Sequence, residues 1–214
     1  MAGGRIINPA VPSLPLGTKE YDQRYQDQFT NVLRLYFNQL RNALNELFGG
    51  AGGKYVAFPY GAFSDFTSQT TTVNTATLMA LNTTDFSNTV SLQTGSKITV
   101  ENAGIYNLQF SAQLQNLDNA PQDVFIWLKQ NGTDIVGSTG KVGMPARKSA
   151  GVPFHDIKGW NYFLSMNAGD YVQIYWSTTN AAVTIETYAA SGTPTKPSTA
   201  SVVATLSFVS ALPS

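Results

Sequence analysis

The residues able to do chemistry are few and scattered. His155 is the only histidine and there is no cysteine, so disulfides, thiolate metal sites and cysteine nucleophiles are excluded. A zinc site or a Ser-His-Asp set would need His155, in Val152-Pro153-Phe154-His155-Asp156, to recruit distant partners. It reads as a loop residue. Asp118 and Asp123 flank Asn119-Ala120-Pro121-Gln122; oxygen ligands at that spacing suit calcium, although Asn, Asp and Pro equally make a plain turn. Glu101 and Glu186 lie in strand-like sequence and do not announce a glycosidase pair. Gly49–Gly53 lacks the Lys-Ser/Thr that follows a phosphate loop, so it is a linker. No nucleophile, base and orienting group occur together. The expectation is a protein that is not an enzyme and carries no cofactor or metal.

Two groups could instead make contacts. Lys141, Arg147 and Lys148 surround Gly143-Met144-Pro145 and read either as a solvated hairpin tip or as a patch for an acidic surface, a neighbouring protein or a glycan. Trp160 and Tyr162 alternate, with Phe163 facing the other way; they are core packing or a sugar-stacking platform. The whole chain has 13 basic and 13 acidic residues and is only 12% charged, against about 25% in an average protein. Nothing clusters Lys and Arg among stacking aromatics, so no nucleic acid is expected as a partner. No stretch reaches the length of a membrane span, and no secretory leader is evident; synthesis in a cytoplasm is expected.

The elements that position these residues fall into four segments. Residues 1–17 carry Pro9, Pro12 and Pro15 at the three-residue period of polyproline II. Ile6, Ile7, Val11, Leu14 and Leu16 between them are apolar, which favours an anchoring arm over an unstructured leader. Residues 18–48 read as an amphipathic helix, with Thr18 as N-cap and Glu20 and Asp22 in the first turn. Phe29, Leu33, Tyr36, Leu40, Ala43 and Leu47 recur at steps of four and three, a coiled-coil-type seam. Val32-Leu33-Arg34-Leu35-Tyr36-Phe37 is apolar on more than one stripe, wide enough for three helices or for a docking surface; folding back on the chain's own domain is the other option. Residues 49–53 are the glycine linker.

Residues 54–214 form the head, where the period becomes two. Tyr106, Leu108, Phe110 and Ala112 alternate with Asn107, Gln109, Ser111 and Gln113, a strand with one buried face. Val124, Ile126 and Leu128 oppose Phe125 and Trp127, and Asn131-Gly132 then turns the chain into Asp134–Val136. After the turn Asn167–Asp170, Val172, Ile174 and Trp176 oppose Tyr171 and Tyr175. Further strands are expected at 78–81, 90–92, 97–100, 159–164, 182–187 and 202–209. About ten short strands indicate a mainly β protein, a jelly-roll sandwich behind a helix and an extended arm. The second apolar row, Phe125, Trp127, Tyr171 and Tyr175, needs a burial partner outside the sandwich and is expected at a subunit interface.

Gly104-Ile105-Tyr106-Asn107-Leu108-Gln109-Phe110, Val124–Gly132 and Leu164–Ile174 resemble, in order and spacing over residues 75–210, the strands of complement-type and tumour-necrosis-factor-like globular heads. Asn82–Asn88, Asn102–Leu114 and the opening Gly4-Arg5-Ile6-Ile7-Asn8-Pro9 resemble structural proteins of short-tailed, cyanophage-like bacteriophages. The resemblance implies a homotrimeric head on a virion, held to capsid or tail proteins. Particle anchoring would then use Ile6, Ile7, Pro9, Val11, Pro12, Leu14, Pro15 and Leu16. The trimer interface would use Phe29, Leu33, Tyr36, Leu40, Leu47, Phe125, Trp127, Tyr171 and Tyr175. The alternative is a receptor-binding head whose loops 116–123, 141–150 and 191–199 touch a host surface glycan or protein.

Overall fold

The computed structural model describes residues 9–17, 19–48 and 58–213. Ile6, Ile7, Thr18, the linker 49–53 and the side chain of Leu47 lie outside the described residues. The chain divides between residues 57 and 58 into two units.

In the first unit, helix α1 (Gln23–Phe48) has 26 residues, a length of about 39 Å. It begins later than residue 18, and Asp22 caps it. Asp22 Oδ1 accepts the N–H of Arg24 at 2.8 Å and of Tyr25 at 3.4 Å, while its carbonyl accepts from Gln26 N–H at 3.1 Å. A short carboxylate one residue before the helix satisfies the donors that the first turn leaves free. Asp22 is therefore the cap itself, and Glu20 precedes the helix. Phe29, Leu33, Tyr36, Leu40 and Ala43 are half-buried along one stripe, whereas Phe37 and Leu44 at its margin and Leu35 on another face are exposed. In the arm, Pro9, Pro12 and Pro15 are half-buried and Val11, Leu14 and Leu16 exposed.

The second unit is all β. Its strands are β1 (Tyr60–Asp65), β2 (Thr77–Leu78), β3 (Thr83–Asn88), β4 (Val90–Gln93), β5 (Lys97–Val100) and β6 (Gly104–Asn116). Then come β7 (Gln122–Gln130), β8 (Thr133–Asp134), β9 (Gly140–Met144), β10 (Phe154–Lys158) and β11 (Asn161–Met166). The last are β12 (Tyr171–Thr178), β13 (Val183–Ile185), β14 (Ser191–Gly192), β15 (Thr195–Lys196) and β16 (Val202–Ser210). Two antiparallel sheets pack face to face. Sheet 1 runs β10-β6-β16-β1-β3, with β11 and β13 also on β6; sheet 2 runs β4-β5-β12-β7-β8, with β2 on β12 and β9 on β7. The chain passes from sheet 1 to sheet 2 between β6 and β7, returns at β10, crosses again at β12 and ends in sheet 1. That is the jelly-roll sandwich expected from the sequence.

The alternation read along the chain sets the core. Leu108, Ala112 and Leu114 of β6 and Ala204 and Leu206 of β16 meet Val124, Ile126, Leu128, Val172, Ile174 and Trp176, all fully or almost fully buried. Asn131 and Gly132 both have positive φ, 51° and 81°, the conformation that a two-residue hairpin demands and that Asn-Gly tolerates. The expected strands at 78–81, 159–164 and 182–187 are shorter or shifted, to β2, β11 and β13. Gly159 and Trp160 precede β11, and the chain there runs so close to β6 that only glycine fits: a Cβ on Gly159 would lie 2.0 Å from the carbonyl oxygen of Phe110. His155 belongs to strand β10, paired with Gln115 of β6, rather than to a loop.

Candidate functional site

The four rings singled out from the sequence lie on the outward face of sheet 2, half-buried. Register puts Leu78, Tyr175 and Trp127 in one row across β2, β12 and β7. Ser177, Phe125 and Lys141 form the next row, and Tyr171 sits opposite Thr99. The Trp127 and Tyr175 rings are 6.0 Å apart at 33°. Lysines of the same chain lie over the other faces: Lys97 Nζ is 4.6 Å from the Tyr171 centroid, Lys129 4.7 Å from Tyr175 and Lys141 5.7 Å from Phe125. Trp127 Nε1–H donates to Asp134 Oδ1 at 2.7 Å, and Lys129 pairs with the same carboxylate at 3.3 Å. Long stems that carry their charge outward while covering a ring with apolar methylenes are a common way of shielding aromatic surface. This row thus has cover within its own protomer.

The outward face of sheet 1 is different in kind. From β6 it presents Ile105, Asn107, Gln109, Ser111, Gln113 and Gln115, and from β16 Val203, Thr205 and Ser207, with no charged residue on either strand. Large apolar side chains stand at its margins: Phe163 is 56% exposed, Ile157 60% and Phe86 62%. Phe163 follows Asn107 in the register and Ile157 follows Gln113. Depletion of charge with exposed rings is the composition of a protein interface core rather than of a solvated face. The alternation of Asn107, Gln109, Ser111 and Gln113 showed that this face points out. Strand β10, which carries Ile157, and β3, which carries Phe86, have little apolar alternation and were missed.

The loops are drawn together at the Asn116 end of β6. Asn116 is fully buried; its Nδ2 donates to the carbonyls of Ala120 at 3.1 Å and Pro145 at 2.8 Å, and its Oδ1 accepts Asp118 N–H at 2.8 Å. Arg147 Nη1 donates to the Leu117 carbonyl at 3.2 Å. Loops 116–123 and 141–150 therefore share one anchor. On the sheet-1 side, Tyr188 Oη and His155 Nδ1 are 2.9 Å apart, and Lys196 at the base of the 191–199 hairpin lies over the Tyr188 ring at 5.8 Å. Burial, and secondarily the Glu186 carboxylate, raise the Tyr188 hydroxyl above its ordinary pKa.

Asp118, Asp123, Glu186 and Asp170 are each engaged by neighbours in the fold. Asp118 accepts from Gln122 Nε2, Asn180 Nδ2 and Asn119 N–H, and Asp123 pairs with Lys141 at 2.9 Å. Their carboxylates answer different partners and fix the turn. Lys141, Gly143 and Met144 belong to strand β9 instead of a hairpin tip. Glu186 accepts from Ser68 Oγ, Gln115 Nε2 and Thr184 Oγ1. Asp170 ties two turns together: Asn167 N–H donates to it at 2.8 Å, Asn131 Nδ2 at 2.8 Å and Gln130 Nε2 at 3.2 Å. Its pKa falls below the ordinary carboxylate value, mainly through the Asn167 backbone bond. Among the described residues no three His, Cys, Asp or Glu side chains come together as a metal group.

Beside β9 run two open clefts that share Gly143. One, about 330 Å³, is lined by Gly140, Lys141, Gly143, Lys158, Gly159 and Trp160. The other, about 470 Å³, is lined by Pro121, Gln122, Asp123, Met144, Pro145 and Thr179. Trp160 is half-buried, edge-on to Phe110 with centroids 4.7 Å apart, and closes the side of the sandwich where Gly140 leaves room: a Cβ there would meet the indole at 2.6 Å.

No family model matches the sequence, and no curated protein does. Among solved structures the chain is similar to Eiger TNF from S. frugiperda, with 12% identity and a TM-score of 0.46 over 74% of this chain and 97% of that one.

Proposed function

We propose that this chain is a non-enzymatic structural protein of a virion, a homotrimer held to the particle by its N-terminal arm and helix α1, with the β-sandwich head projecting. It would be made in the host cytoplasm and reside in the particle, on capsid or tail proteins. The observation that carries this reading is apolar surface left without cover in each unit. Leu35, Phe37 and Leu44 stand exposed on α1, as do Val11 and Leu16 on the arm, which is costly for a solitary soluble chain. The likeness of the opening Gly4–Pro9 segment to phage structural proteins supports the anchoring role. In the head we place the subunit contact on the outward face of sheet 1, because the rings of sheet 2 are already shielded by Lys97, Lys129 and Lys141.

Deletion of residues 1–48 tests the anchor. The truncated protein, which keeps the whole buried core of the sandwich, should fold and fail to enter particles. Incorporation at the level of the full chain would refute the anchoring role. A second reading, a receptor-binding head, draws support from the shared anchoring of loops 116–123 and 141–150 beside the clefts at β9. The isolated head should then block adsorption to host cells; absence of any block at saturating protein would count against it.

A further inference from the structure

We propose that the paired clefts along β9 bind an uncharged saccharide chain, an inference that rests on the receptor-binding reading and gives it a ligand class. Three features converge. First, the indole of Trp160 lines the smaller cleft, half-buried and held in place by Phe110 and Gly140. A fixed aromatic surface suits the apolar C–H face of a pyranose. Second, part of the wall is bare backbone, because Gly140, Gly143 and Gly159 bring no side chains. Among the described residues β9 pairs with β7 alone, so alternate N–H and C=O groups turn away from the ladder and can meet hydroxyls.

Third, the charges cancel. Lys158 is held by Asp156 at 2.8 Å and Lys141 by Asp123 at 2.9 Å. Each ammonium lining the cleft thus brings its own carboxylate. Fixed donors and acceptors without net charge favour a neutral polyhydroxylated ligand, which satisfies both; an anion meets the aspartates and a cation the lysines. An added peptide strand is a poorer fit, because the indole sits against β9 at Gly140. The volumes, about 330 and 470 Å³, are within the range of small-molecule clefts, and both clefts are lined by Gly143.

Gly143 also supplies the cleanest perturbation. A Cβ there meets nothing within 4 Å, so Gly143→Leu places a side chain at the residue that lines both clefts without a clash at its Cβ. Full chain should be titrated with maltotriose, mannotriose and N-acetyllactosamine, and with polygalacturonate and dextran sulfate as acidic counterparts, by calorimetry and tryptophan fluorescence. The expected result is binding of at least one neutral probe in the range of about 0.1–1 mM. Gly143→Leu should weaken it at least about tenfold with an unchanged melting temperature, and Lys158→Ala should weaken it as well. The proposal is overturned if none of the three neutral probes binds, if only the acidic polymers bind, or if neither variant changes the affinity. Neutral binding by a head that does not block adsorption would uphold the cleft and remove the receptor reading instead.

Discussion

Phe163→Glu, made in the head fragment 58–214, decides which sheet carries the subunit contact. Phe163 is 56% exposed, and a phenylalanine offers on the order of 200 Å² of surface, so about 110 Å² per ring awaits cover. At about 25 cal/mol per Å² this is about 3 kcal/mol for each protomer and about 8 kcal/mol for a trimer, comparable with the whole free energy of a micromolar association. A glutamate removes that term and places an unpaired charge on a face whose β6 and β16 strands carry none. The variant should fold, because the ring lies outside the core, and should run as a monomer in sedimentation velocity at micromolar concentration. The unmodified head should run at three times the monomer mass. Phe125→Glu on sheet 2 is the control and should leave the trimer intact. If the Phe163 variant remains trimeric while the Phe125 variant dissociates, the argument from lysine cover is wrong and the aromatic row of sheet 2 is the interface.

Asn116→Leu should lower head stability by about 3 kcal/mol or more in urea unfolding, since it leaves Ala120, Pro145 and Asp118 backbone groups without a buried partner; hydrogen exchange should rise in both attached loops. Trp176→Phe should cost under about 1.5 kcal/mol in the same assay, because the buried indole Nε1–H has no partner and its removal relieves a desolvation cost that offsets the smaller ring. Trp176→Ala, by contrast, should cost about 3–5 kcal/mol. Asp170 has a folded pKa below its unfolded one, so its contribution is present above the ordinary carboxylate value of about 3.9 and is lost as pH falls toward the folded value. The melting temperature should therefore decline on acidification in that window, and Asp170→Asn should flatten the decline.

Period and turn chemistry made much of the fold legible in advance. Alternation in 106–112, 124–128 and 172–176 named inward side chains that are all buried, because a strand with one face in the core can take only one register. Asn131-Gly132 marked its hairpin, since few other pairs accept positive φ twice. The helix was legible from its seam, but its start was not: Thr18 and Asp22 are both residue types that cap helices, and only the folded geometry selects Asp22. Strands β3, β9 and β10 escaped notice because edge strands are half-exposed and their sequences do not alternate cleanly.

The site was less legible than the fold. That Phe125, Trp127, Tyr171 and Tyr175 point away from the core followed from periodicity alone. That lysines from other strands would cover those rings depended on cross-strand register, which joins Phe125 to Lys141 and Gln173 to Lys129. Likewise Asp118 and Asp123 were legible as oxygen-bearing residue types; their partners Asn180 and Lys141 come from tertiary contact alone. Sequence by itself determined the two periods, the glycine boundary and the poverty of catalytic groups, because these are properties of residue type and spacing. Tertiary structure decided which apolar face stays uncovered and where bare backbone, an indole and balanced ion pairs meet, because pairing distant strands sets what each side chain faces.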